Sequence, residues 1–106
     1  MGPRRTYKIC GYQQITSLAA SVGLTIPTTD TQGNTCKPNA VLLLSETQNV
    51  RWRADGTAPT ATVGMLIPTT ATQPFYYDGD LNAIRFIEAA ASAKLNVVYV
   101  EDVNAT

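Results

Sequence analysis

"GDLNAIRFIEAAASAKLNVVYV", Gly79 to Val100, is the stretch on which the fold turns. Read as a helix, Asp80 is the N-cap, Leu81, Ile84, Ile87 and Ala91 form one stripe, and Glu88 to Ala91 add intrinsic propensity. Read as strands, Ile84 and Phe86 point one way and Arg85 and Ile87 the other. A small-residue turn over Ala89 to Ala93 then returns the chain into Leu95, Val97 and Tyr99. Local propensity slightly prefers the helix. The end of the stretch is clearer: Leu95 to Val100 is β-branched and aromatic, and too apolar on both faces for an exposed edge. It is a central strand or it lies at a subunit contact.

The rest of the chain leans toward strands. Threonine is abundant, and short apolar stretches are cut by turn residues at Pro27 to Asp30, Gln32 to Asn34, Lys37 to Asn39, Asp55-Gly56, Pro68, Pro74 and Asp78-Gly79. Candidate strands are Lys8 to Ile15, Ser21 to Ile26, Ala40 to Ser45, Val50 to Arg53, Met65 to Ile67, Phe75 to Tyr77, Ile84 to Glu88 and Lys94 to Val100. About seven or eight short strands at this spacing predict an all-β protein, an antiparallel β-sandwich or jelly-roll-like barrel. The helical reading survives in it as one short helical turn near Asp80–Ile84. At 106 residues the chain makes one domain over 8–100, with an N-terminal arm at 1–7 and a C-terminal tail at 101–106.

The second informative stretch is "VRWRADGTAPTATVGM", Val50 to Met65. Strand alternation puts Val50 and Trp52 on one face and Arg51 and Arg53 on the other, so the indole goes in and the guanidinium groups come out. Asp55-Gly56 is a turn signal, and a threonine-rich loop leads to a new strand at Met65, giving a hairpin or arch. The arginines are then solvent-facing edge residues, or they meet a carboxylate on a partner subunit.

Composition excludes most chemistry. No histidine is present, which removes the commonest general base and transition-metal ligand, and Lys8, Lys37 and Lys94 sit in no pattern that would activate them as nucleophiles. Eight basic and eight acidic side chains cancel, so no nucleic-acid footprint and no attraction to anionic membranes is expected. Asp55, Asp78 and Asp80 read as turn residues and fall short of the six to eight oxygens calcium takes, so no metal or cofactor is expected. Cys10 reads as a small buried side chain and Cys36 as a loop residue; a disulfide between them is possible but not favoured in a cytosolically made protein, and the sequence leaves their pairing open. No apolar run has signal-peptide or membrane-spanning length. Among the aromatics, Phe75 and Tyr77 share one face and Tyr76 takes the other. An exposed Tyr76 or Trp52 is the feature that would suit a carbohydrate-binding β-sandwich module.

The ordered series "GYQQIT…SVGLTIP", "VRWRADGTAPTATVGM" and "LIPTTATQPFYYDGDLNAIRFIEAAASAKLNVVYV" resembles a widespread group of small tailed-bacteriophage virion proteins. The similarity runs from Tyr12 to Tyr99 and is sharpest at Arg51-Trp52-Arg53, Asp55-Gly56-Thr57, Pro59 to Gly64, Leu81, Ile84 to Phe86 and Leu95 to Val97. It implies a small β-structured, non-enzymatic head decoration or cement protein. A tail or receptor-contacting virion protein is the alternative. Relatives carry glycine or threonine where this chain has Ala89 to Ala93, which implies two strands there, although the alanine run departs from the pattern. The resemblance further implies a virion location after assembly in the host cytoplasm, the major capsid protein as partner, and self-association as a homotrimer through which weak contacts add. Arg4, Arg5 and Lys8 of the arm, then Arg51 and Arg53, are the candidate interface residues.

Overall fold

The computed structural model describes residues 7–102. Seven strands and no helix occur among them: β1 (Tyr7–Ile15), β2 (Ala40–Glu46), β3 (Val50–Arg53), β4 (Met65–Ile67), β5 (Phe75–Tyr77), β6 (Arg85–Glu88) and β7 (Lys94–Asp102). They form a sandwich of two antiparallel sheets, ordered β1-β7-β2-β5 and β4-β3-β6.

The Gly79–Val100 stretch is extended, as two strands, but it is not a hairpin. β6 pairs with β3 in the smaller sheet and β7 lies between β1 and β2 in the larger one, so Ala89 to Ala93 carry the chain from one layer to the other. Burial explains why packing overrides helix propensity: Ile84 and Phe86, two residues apart, are both fully buried, and a helix would turn them to nearly opposite sides. The expected helical turn is a single hydrogen-bonded turn in which the Ala83 N–H donates to the Asp80 carbonyl at 3.1 Å.

The core lies between the sheets. On β7, Leu95, Val97 and Tyr99 point inward, opposite Ser45, Leu43 and Val41 of β2. Val50, Ile67 and Phe86 close it from the other sheet, and the Ser45 hydroxyl crosses to the Ile67 carbonyl at 2.7 Å. Val50 and Trp52 do face inward, with the half-buried indole stacked on Phe75 (centroids 5.3 Å apart) and tilted against Tyr77 at 5.8 Å.

Two expectations fail. Ser21 to Ile26 is not a strand: only Val22 bridges, exchanging backbone bonds with Phe86 at 2.9 and 2.8 Å. Leu18, Leu24 and Ile26 instead pack on the core from an irregular connection, so their apolar character reports burial rather than pairing. Cys10 and Cys36 are joined in a disulfide with their Cα atoms 5.8 Å apart. A register shift between Ile9 and Gly11 inserts Cys10 as an extra residue against β7 and turns its sulfur inward, where Cys36 arrives equally buried. The sheet also reaches past the expected domain limits, beginning at Tyr7 and ending at Asp102.

Candidate interaction surfaces

The β3–β4 connection is built by its arginines. Arg51 points out of the sandwich and folds over the loop, its Nε donating to the Ala61 carbonyl at 2.9 Å and Nη1 to the Gly64 carbonyl at 3.0 Å. Thr60 and Val63 close the loop tip by exchanging backbone hydrogen bonds, and Pro59 is buried beneath it. Gly64 has φ +143°, and a Cβ there would lie 3.2 Å from Arg51 Cβ, Pro59 Cβ and the Trp52 carbonyl oxygen, so the chain needs glycine at this point. Arg53 finds its carboxylate in its own loop: its Nε donates to Asp55 Oδ1 at 3.1 Å and Nη2 to Oδ2. That guanidinium holds the Asp55 carboxyl below the usual aspartate range and is itself raised.

Lys8 is also engaged within the chain, donating to the Thr35 carbonyl at 3.1 Å and standing 3.7 Å from Asp30 Oδ2. Arg4 and Arg5 lie outside the described residues. The candidate interface residues that are described therefore order their own loops, and they form no common patch: Lys8 belongs to β1, while Arg51 and Arg53 belong to β3 in the other sheet.

Along the inner side of this hairpin runs an open groove of about 540 Å³, lined by Trp52, Ala54, Val63, Gly64 and Met65, with Arg53 and Asp55 at its rim. Val63 and Met65 are exposed. The ionisable residues of its lining, Arg53 and Asp55, are bonded to each other. Asp80 caps the Asn82 N–H at 2.9 Å, in the turn role expected of it. Among the described residues, Cys10, Cys36 and Glu101 are grouped closely enough to hold a metal ion, but their sulfurs are bonded to each other and Glu101 accepts from the Lys37 N–H at 3.2 Å.

The surface not anticipated from the sequence is the outer face of the larger sheet. Strand register places Ile9, Val100 and Ala40 in one row across it, Tyr12, Val98, Leu42 and Tyr76 in the next, then Gln14, Asn96 and Leu44, and finally Lys94 and Glu46. Ile9 and Tyr12 are 55% and 63% exposed. The signal was present in the unbroken Leu42-Leu43-Leu44 run, which gives β2 apolar side chains on both faces, as β7 has. The polar groups of this face are spoken for within the chain. Tyr12 Oη and Gln14 Nε2 (3.0 Å) both donate to Asn96 Oδ1, Asn96 Nδ2 donates to Glu46 Oε1 at 3.2 Å, and Tyr76 Oη donates to Asp102 Oδ2 at 2.8 Å. The other sheet differs in kind, its outer face carrying Arg51, Arg53 and Arg85.

Comparison with protein-family models, curated proteins and solved structures finds no match to this chain.

Proposed function

We propose that this chain is a non-enzymatic structural subunit of a tailed-phage particle, acting as a head decoration protein that associates with copies of itself and with the major capsid protein. The observation that carries the reading is the outer face of the β1-β7-β2-β5 sheet, where Ile9 and Tyr12 stand exposed beside Val98 and Leu42 and the neighbouring Tyr12, Gln14 and Asn96 side chains are hydrogen-bonded to one another. Such a surface recognises by shape, which is the work left to a chain without histidine or net charge. The buried disulfide suits a protein that acts in an oxidising exterior such as a virion surface. The resemblance over Tyr12–Tyr99 supplies the virion context. Incubation with undecorated shells followed by sedimentation tests it: co-sedimentation with tailless heads is expected, and recovery with isolated tails instead would move the protein to the tail.

The groove beside Trp52 favours a second reading, carbohydrate binding. The indole is part of its lining, together with the Arg53–Asp55 pair, whose remaining donors and acceptors can meet a hydroxylated ligand. Quenching of Trp52 fluorescence by a panel of oligosaccharides, without any affinity for shells, would replace the first reading with this one.

A further inference from the structure

We infer that the outer face of the β1-β7-β2-β5 sheet binds a second copy of this chain face to face, about a two-fold axis parallel to the strands and running between β7 and β2. The inference rests on the self-association part of the proposed function and is independent of where in a particle the protein resides.

The geometry follows from the register. Rotation about such an axis keeps every row at its own level and exchanges β7 with β2 and β1 with β5. Val98 of one copy then stands over Leu42 of the other and Tyr12 over Tyr76, while Val100 and Ala40, fully buried within each copy, lie beneath the contact. The last row carries the only charged residues of the four rows, Lys94 and Glu46, which are cross-strand neighbours. Under the same rotation Lys94 of each copy meets Glu46 of the other. The face is complementary to itself in charge as well as in apolar content. Among the described residues Lys94 has no ion-pair partner, and Glu46 accepts one amide hydrogen through Oε1, leaving its second oxygen for a lysine.

Desolvating this face costs little, because Tyr12, Gln14, Asn96 and Tyr76 already make hydrogen bonds within the chain. Three strands at the usual spacing over Leu42 to Glu46 give an open face of about 14 by 17 Å, or about 240 Å² in projection, to which the three-residue β5 adds a margin. That is below the size of standard specific interfaces, so the partner is a weakly and transiently held copy. Rotation about an axis parallel to the strands leaves the two sheets aligned, within the range of ordinary aligned sheet packing.

The test is mass in solution from about 10 µM to 1 mM, the range in which an interface of this size assembles. A shift from 11.4 kDa toward twice that value is expected. Lys94→Glu and Glu46→Lys each set like charges against one another twice per dimer and should raise the dissociation constant about tenfold. The double variant restores both pairs across the axis and should return it to within about threefold of the starting value. Tyr12→Lys, on a ring already mostly exposed, should abolish the dimer while lowering the melting temperature of the monomer only slightly, through loss of its one exposed hydrogen bond to Asn96. A monomer at the highest concentration, a trimer, or a double variant as weak as the single ones overturns the inference. Failure to bind shells would leave it standing and defeat only the decoration role.

Discussion

Replacing Cys10 and Cys36 together by alanine removes the covalent tie across a connection otherwise held by the packing of Leu18, Leu24 and Ile26 on the core and by scattered backbone hydrogen bonds. Between β1 and β2 the backbone makes two isolated bridges, Val22–Phe86 and Thr29–Thr35, and no strand. The sulfurs are 26 residues apart in sequence, and closing a loop of that length in the unfolded chain corresponds to about 3.5 kcal/mol on the chain-entropy account. For 106 residues the unfolding entropy is about 0.22 kcal/mol/K, so the loss lowers the melting temperature by about 16 °C. In urea, with a slope near 1.5 kcal/mol/M, the midpoint falls by about 2.3 M. Alanine keeps both positions apolar, so the change reports the bond more than the packing. Thermal and urea unfolding of the double variant, beside wild type with and without reductant, measure it. A loss below about 1 kcal/mol, with mass spectrometry showing the wild-type bond intact, would refute the assignment of this connection's stability to the disulfide.

Other expectations are narrower. Gly64→Ala should cost about 1–3 kcal/mol in urea unfolding, since the new methyl meets backbone and side-chain atoms at 3.2 Å with φ at +143°. Tyr99→Phe should cost about 1–2 kcal/mol, because the hydroxyl both donates to Gln13 Oε1 at 2.6 Å and accepts from the Thr25 N–H at 3.1 Å. Asp30 is held below the usual aspartate range first by the Asn34 N–H, then by the Gln32 N–H and Lys8. A depressed folded value means its stabilisation is present above about pH 3.9 and is lost as pH falls through that lower value, so Asp30→Asn should flatten that part of the acid limb in pH-dependent unfolding.

The all-β class and most strands were legible because alternation and turn residues repeat at short intervals. β3, β4 and β5 lie where Val50, Met65 and Phe75 open apolar runs bounded by glycine or proline. Trp52 was placed on the correct face by parity alone. Layer assignment was not legible, because the turn at Ala89 to Ala93 reads the same whether it joins neighbours in one sheet or crosses between two. The disulfide was hidden for a similar reason: the register shift that turns Cys10 inward is a property of its pairing with β7, some ninety residues away in the chain. Arg51 and Arg53 were read as outward and reach outward, but the loop that captures Arg51 supplies backbone carbonyls, which carry no sequence signature.

β7 is the last strand to be synthesised among the seven, the sole partner of β1 in the larger sheet and the strand that joins β1 to the β2–β5 pair. The β2–β5 pair and the smaller sheet have their partners without it, whereas β1 has none and Cys10 has no bulge to present its thiol until β7 is in place. Completion of the larger sheet and closure of the disulfide are therefore tied to one strand, and a lesion in β7 would separate the two sheets' fates.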